Sequence, residues 1–194
     1  MSSSIAEATV DVLLENRIIL FTGEVNAQSA DLIIRQILYL DNQNNKKDIN
    51  LYLNCCPGGS VNAGLSIIDT MNSVKSDVAT VCMGMCASMG ATILSAGTKG
   101  KRFILPNAEV MIHQVSSGTE GTNADIQIAA AHTKKLNSRL FKMIADNCNQ
   151  PLEKIYDDCN RDFWMNSEEA IEYGIVDKII YPKEDNKDKE DNKN

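Results

Sequence analysis

A serine, a histidine and an aspartate in this sequence have the residue types of a catalytic triad. Ser88 lies in an Ala-Ser-Met-Gly segment, His113 in Met-Ile-His-Gln and Asp162 in Arg-Asp. A serine hydroxyl is a weak nucleophile at neutral pH unless an imidazole accepts its proton, and a carboxylate fixes the tautomer of that imidazole. The three residues are consistent with a serine hydrolase. Taken singly, they also fit a helix-capping serine, a core histidine and a solvated acid.

The surroundings of Ser88 suit a nucleophile. A predicted strand over residues 78–83 leads through Gly84 and small residues to this serine at the start of a predicted helix, which places backbone N–H groups beside its hydroxyl. Gly58 and Gly59 also lie between a predicted strand and a helix start, where glycine lets the backbone approach a substrate closely. Two such turns facing one cleft would form an oxyanion hole.

The order of the three residues narrows the class of hydrolase. An α/β-hydrolase requires Gly-x-Ser-x-Gly and places its acid before its histidine, whereas here residue 86 is a cysteine and the acid comes last. Both features argue against that fold.

Composition and charge indicate the setting of this chemistry. The 194 residues suffice for one domain, and 43% of them are apolar, enough to fill its core. A net charge of −7 argues against nucleic-acid binding, which relies on a basic surface. The first residues show neither a signal peptide nor a membrane span, so we expect a cytoplasmic protein without membrane association. We expect the six cysteines to be reduced and packed as apolar side chains, not to form disulfides or a metal site.

Short apolar runs alternate with amphipathic stretches along the chain. Strands are predicted over 17–21, 48–53, 78–83, 102–105, 110–112 and 176–180. Helices are predicted after a cap at Asn26, over 61–74, 88–96 and 123–147, from Pro151, and from Ser167 to a stop at Gly174. Repeated β-α units of this length favour a largely parallel sheet covered by helices, an α/β fold. Residues 183–194 are all Lys, Glu, Asp or Asn and are expected to form a disordered tail.

A series of short motifs resembles the proteolytic-subunit family of the Clp protease (ClpP), in order and from about Leu13 to Ile180. The motifs are Pro57-Gly58-Gly59-Ser60-Val61, Ala87-Ser88-Met89-Gly90-Ala91, Gly100-Lys101-Arg102, Leu105-Pro106-Asn107, Met111-Ile112-His113-Gln114, Gln150-Pro151-Leu152-Glu153-Lys154-Ile155, Arg161-Asp162 and Glu172-Tyr173-Gly174.

The resemblance implies a role for each site residue. Ser88 would be the nucleophile, His113 the general base and then acid, and Asp162 the orienting carboxylate. Gly59 and Met89 would donate backbone N–H groups to the oxyanion. Peptide hydrolysis would proceed through an acyl-enzyme, with no metal and no bound cofactor in this subunit.

The resemblance also implies an architecture and partners. The family fold is a crotonase-like ββα spiral that assembles as two stacked seven-membered rings, a tetradecamer around a closed chamber. By this likeness, residues 1–12 form a short axial segment and 13–182 the protease domain, with a protruding handle over about 115–140 that interlocks the rings. An unfoldase of the AAA+ class would feed unfolded substrates through an axial pore, so the partner would use the ATP.

The sequence departs from the family pattern in its N-terminal half. The segment Asn54-Cys55-Cys56-Pro57-Gly58-Gly59 carries one more residue than the usual Asn-Ser-Pro-Gly-Gly, which a β-bulge would absorb. The segment before Leu13 is short and lacks the usual axial-loop sequence. Asn50 and Ser73 replace aromatic residues of the unfoldase-docking cleft, while Tyr52 remains. We therefore expect weak or absent docking.

Further departures lie in the regions that assemble the rings. The handle begins with Val115-Ser116-Ser117-Gly118 in place of the more usual Pro-Leu-Gly-Gly, and Asn160 stands where a carboxylate often precedes the arginine. In the family, that carboxylate pairs with an arginine across the ring interface. Loss of one charge of such a partly buried pair leaves the other charge less compensated. The expected tetradecamer is therefore less stable than the family norm, or it requires another subunit type.

Two other functions remain open at this point. One is a structural or regulatory paralogue that is active only in a mixed complex, which the departures favour and the intact triad opposes. The other is a crotonase-type acyl-CoA enzyme, because that fold shares an oxyanion hole. The complete Ser, His and Asp set favours the protease.

Overall fold

A parallel β-sheet flanked by helices forms the framework of the protein. The computed structural model describes residues 5–181. Within that range the strands are β1 (Ile18–Thr22), β2 (Ile49–Cys55), β3 (Val78–Ala87), β4 (Arg102–Ile104), β5 (Glu109–Ile112), β6 (Phe163–Met165) and β7 (Lys178–Ile179). The helices are α1 (Ile5–Glu15), α2 (Ala27–Gln43), α3 (Val61–Ser73), α4 (Met89–Ser95), α5 (Asn123–Cys148), α6 (Leu152–Asp158) and α7 (Ser167–Tyr173). The predicted α/β class is confirmed.

Strand β3 divides the sheet into two parts. The main path runs β1-β2-β3-β4-β7 with parallel pairing throughout. The first half of β3 pairs with β4, whereas its last three residues pair in parallel with β5. Strand β6 then adds to β5 in the antiparallel sense. The end of β3 therefore lies next to β5, and β5 lies next to β6.

A bulge separates the two halves of β3. Leu53 of β2 is opposite Cys82, but Cys55 is opposite Cys86, so β3 uses more residues than β2 over this stretch. The side-chain oxygen of Asn54 accepts a hydrogen bond of 3.2 Å from the backbone of Met85 and closes the bulge. The predicted bulge thus lies beside residue 54, but its additional residues belong to β3, and β3 continues to Ala87 where the sequence predicted an end at 83. Bulges of this kind re-aim the side chains that follow them.

Two helix boundaries follow directly from local chemistry. Asn26 caps α2, as predicted, because its side chain accepts a hydrogen bond from the backbone of Ser29. Gly174 ends α7 in the left-handed conformation with φ of 85°, which glycine adopts without steric penalty. Among the leucine and isoleucine residues of α2, Ile33, Ile37 and Leu40 are buried, whereas Leu32 and Leu38 are about half exposed.

Some elements differ from the sequence predictions. Helix α1 was not predicted and extends beyond the boundary drawn at residue 12. Strand β6 was also missed, because three residues are too few to show a period. The predicted tail over 183–194 lies outside the described residues. The predicted handle consists of a segment without helix or strand from 115 to 121 and the exposed first part of α5.

The core consists of the inner strands and the helix faces packed on them. Leu51, Leu53 and Ile93 are fully buried in it. All six cysteines lie within the described range and are free. Five of them are buried, whereas Cys56 is exposed and departs from the expected packing. Burial raises the pKa of Cys55, Cys148 and Cys159 to about 12, which makes these thiols unreactive. No helix within residues 5–181 is long and apolar enough to cross a membrane.

Candidate active site

The structure brings Ser88, His113 and Asp162 into one hydrogen-bonded line. The Nε2 atom of His113 lies 2.8 Å from Oγ of Ser88, and its Nδ1 atom lies 3.1 Å from Oδ1 of Asp162. The two ring nitrogens therefore contact the serine and the acid separately. With Nδ1 protonated toward the carboxylate, Nε2 is free to accept the serine proton, which is the arrangement that activates a serine nucleophile.

The backbone at Ser88 turns sharply between β3 and α4. Its φ of 54° and ψ of −117° are unusual for a residue other than glycine. The amide of Ser88 donates a 2.8 Å hydrogen bond to the carbonyl of Met111 in β5, which holds the turn against that strand. The Ser88 side chain makes no capping bond to α4. Its hydroxyl therefore points to His113, and the backbone strain lies beside that contact. Strained residues cluster at functional sites, so the strain supports Ser88 as a candidate site residue.

Antiparallel pairing of β5 with β6 places the acid beside the histidine. The last pair of this ladder is Ile112 with Phe163. One step further along both strands are His113 and Asp162, whose side chains meet. The sequence showed both residue types, but their contact depends on the short strand that sequence reasoning missed.

The glycine turn after β2 packs directly against the serine turn. A side chain at Gly58 would place its Cβ 2.6 Å from Cβ of Ser88 and 3.1 Å from the amide nitrogen of Met89. Val25 fixes this turn, because its amide donates to the Gly58 carbonyl at 2.6 Å and its carbonyl accepts from Ser60 at 2.7 Å. Any side chain at position 58 would force the two turns apart, and the φ of 99° there also favours glycine.

The two amides expected to bind an oxyanion lie at these turns. Gly59 and Met89 both line the cleft that contains Ser88 and His113. Within residues 5–181, neither amide donates to another backbone or side-chain group. Two unused N–H groups beside a serine nucleophile are what a tetrahedral oxyanion requires.

The same cleft has an apolar wall. The cleft encloses about 60 Å³, and Gln114 and Ser116 are among its polar lining residues. The hydrophobic residues that line it come from α3, α4, β5, the segment after β5, and α5: Val61, Met89, Ile112, Val115, Leu140 and Ile144. An aliphatic side chain next to the scissile bond would lose water on entering this cleft, which favours binding.

The candidate base and acid differ in how far their side chains are exposed. The side chain of His113 is 26% exposed and that of Asp162 is 58% exposed. The second histidine, His132, is exposed on α5 and is not part of the cleft. No group of three or more His, Cys, Asp or Glu side chains in the described chain is arranged to hold a metal ion.

Two of the residues expected at the unfoldase-docking cleft lie on β2, next to the edge strand β1. Asn50 and Tyr52 are partly buried on β2, opposite Ile18 and Leu20 of β1. Leu20 is 46% exposed, and Ser73 is exposed at the end of α3. An apolar contact surface is therefore present at Leu20 and Tyr52, although two of the expected aromatic residues are absent.

Comparison with known proteins assigns the family. A family model described as Clp protease matches residues 2–183. A protein of Streptococcus salivarius named ATP-dependent Clp protease proteolytic subunit is 54% identical over 183 residues, covering 92% of this chain and 93% of the relative. Proteins of the same name from Streptococcus thermophilus and Streptococcus agalactiae are each 55% identical over 170 residues, covering 87% of this chain and 86% of each relative. The chain belongs to the Clp protease family and is a serine-type peptidase with the crotonase-like fold of that family.

Proposed function

We propose that the chain is a serine endopeptidase subunit that cleaves unfolded proteins through Ser88, His113 and Asp162. The observation that carries this proposal is the His113 ring, which contacts the serine through one nitrogen and the acid through the other. The family assignment gives the reaction class, and this geometry supports the choice of residues.

The proposed reaction proceeds in two halves. Nε2 of His113 takes the proton of Ser88 as Oγ attacks the peptide carbonyl, and the amides of Gly59 and Met89 hold the oxyanion. His113 then gives that proton to the leaving amine, which leaves an ester on Ser88. In the second half His113 takes a proton from water as the water oxygen attacks the ester carbonyl. His113 then returns that proton to Oγ of Ser88 as the ester bond breaks, which releases the new carboxyl end of the product and restores the serine. Asp162 keeps Nδ1 protonated throughout, and no metal or cofactor is needed in this subunit.

The apolar wall of the cleft supports a preference for substrates with an aliphatic residue at the cleavage site. Ile112 and Leu140 lie on this wall with Met89. A peptide with Leu before the scissile bond should be cleaved more readily than one with Asp, because a carboxylate would lose water there without a charged partner.

The relatives' name supports an ATP-dependent assembly with a Clp ATPase. We propose that an AAA+ unfoldase docks at the edge that contains Leu20 and Tyr52, uses the ATP and delivers unfolded chains. Because Asn50 and Ser73 are not aromatic, this docking is weaker than the family norm. The proposed oligomer is two stacked heptameric rings in the cytoplasm. Exposed apolar residues on α5, Ile126 at 42% and Ile128 at 68%, support an interface through the handle.

A subunit that is active only in a mixed complex is the alternative that one observation favours. Asn160 carries no charge, and Arg161 donates a 2.7 Å hydrogen bond back to the Asn160 carbonyl. An arginine without a carboxylate partner in its own segment would suit a paralogue that supplies one. The acyl-CoA alternative is not retained, because the relatives described above are named as proteolytic subunits.

Labelling with a serine-directed fluorophosphonate tests the proposed chemistry. The purified chain should be modified at Ser88, and the Ser88→Ala variant should not react. A fluorogenic peptide assay, with and without a candidate paralogue, then separates the two assembly hypotheses, since activity only after mixing indicates a hetero-oligomer. Unchanged labelling of Ser88→Ala would refute the assignment of the nucleophile.

A further inference from the structure

The side chain of Gln114 connects the two segments that carry the proposed base and acid. Its Nε2 atom donates a hydrogen bond of 3.0 Å to the backbone oxygen of Asn160. Gln114 directly follows His113, and Asn160 precedes Asp162 by two residues. The bond therefore spans the same gap as the acid–base pair.

The register of β5 and β6 shows what this bond adds. The ladder ends at Ile112 and Phe163, so backbone pairing holds the segments together only on one side of His113 and Asp162. On the other side, the Gln114 bond is the next connection. The acid–base contact is thus enclosed between a backbone ladder and a side-chain bond.

The position of the Asp162 carboxylate depends mainly on the placement of its own backbone. Its side chain is 58% exposed, and within residues 5–181 its carboxylate accepts a hydrogen bond only from His113. Arg161 donates to the same Asn160 oxygen, but that bond is local and connects the loop only to itself. A carbonyl oxygen has two lone pairs and accepts both donors.

We propose that Gln114 is a positioning residue of the active site, which holds the Asp162 loop against His113 through the Asn160 carbonyl. The proposal rests on the proposed triad. Gln114 acts through Asp162 and takes no part in bond making.

The test compares Gln114→Met with Gln150→Met in the full chain. Methionine keeps the length of glutamine and removes its donor. Gln150 makes the same type of bond, also 3.0 Å, but to the carbonyl of Tyr173 at the end of α7, outside the cleft. With a peptide-based fluorophosphonate, Gln114→Met should lower the maximal rate of Ser88 modification roughly tenfold, the effect of one lost hydrogen bond. The half-saturating probe concentration should change less than twofold, and Gln150→Met should leave both values unchanged.

A double-mutant cycle with Asp162→Ala shows whether the effect passes through the acid. If it does, Gln114→Met should have no further effect in the Asp162→Ala background, because there is no carboxylate left to place. An equal tenfold loss in both backgrounds would overturn the proposal, as would a change confined to the half-saturating concentration, which indicates a substrate contact. Loss of labelling in Ser88→Ala and slow labelling in Asp162→Ala would uphold the triad whatever the result at Gln114.

Discussion

Substitution of Gly58 by alanine should disable the active site while leaving the protein folded. The added Cβ would lie 2.6 Å from Cβ of Ser88 and 2.7 Å from the carbonyl of Ala87. Ordinary contact between such atoms requires about 3.5 Å, so the glycine turn and the serine turn must separate by roughly 1 Å. Neither neighbour is the flexible end of a long side chain. The separation would therefore displace the adjacent Gly59 amide from the oxyanion.

The expected magnitude follows from two separate effects. Loss of one oxyanion donor lowers the rate of acylation by about 100-fold or more. The left-handed φ of 99° at position 58 and the steric contact together should lower the free energy of unfolding by about 2–5 kcal/mol. Fluorophosphonate labelling of Ser88 measures the first effect, and urea unfolding followed by circular dichroism measures the second.

Gly100→Ala is the matched control. Gly100 also has a positive φ, 84°, but no atom lies within 4 Å of the position that its Cβ would occupy. It should be destabilised by about 1 kcal/mol and label at the wild-type rate. The reasoning would be refuted if folded Gly58→Ala labelled within threefold of wild type, or if Gly100→Ala lost labelling equally.

Three further predictions concern stability, thiol reactivity and assembly. Burial disfavours the charge on Asp177, but hydrogen bonds from the side chain and backbone of Arg102 outweigh it and lower the pKa of the carboxyl below its usual 3.8. The folded state then binds fewer protons than the unfolded state, so this stabilisation is complete above about pH 4 and is lost as pH falls further. Measurements of Tm from pH 6 to pH 3 should show the decline. The Asp177→Asn variant should lack that part of the decline, and its free energy of unfolding at neutral pH should be lower by about 3 kcal/mol. In the native protein only the exposed Cys56 should react with a thiol reagent, and the five buried cysteines should react only in denaturant, as mass spectrometry can establish. Light scattering at low concentration should show an assembly that dissociates below a tetradecamer, because Asn160 leaves Arg161 uncompensated; a persistent homo-tetradecamer would contradict this expectation.

Local sequence signals predicted most of the sheet and the longer helices. Asn26 and Gly174 marked helix ends because their chemistry acts within a few residues. The paired strand-to-helix turns at Gly58-Gly59 and Ser88 were also readable, since glycine and small residues at a turn have few other uses. Helix α1 was not predicted. Strand β6 was missed because three residues are too few to show a period, and it forms only by pairing with β5, which lies far earlier in the chain.

The amino-acid sequence by itself determined the chemical groups: a serine after a strand, a histidine, an aspartate and two glycine-containing turns, in the order of one family. Tertiary structure decided how these groups meet. The bulge at Asn54 and Met85 directs the end of β3, and the β5–β6 register sets His113 opposite Asp162. These contacts join residues far apart in the chain, so their geometry arises only when the strands pair to form the sheet. The Gln114 bond to Asn160 belongs to the same class, since neither residue alone indicates the other.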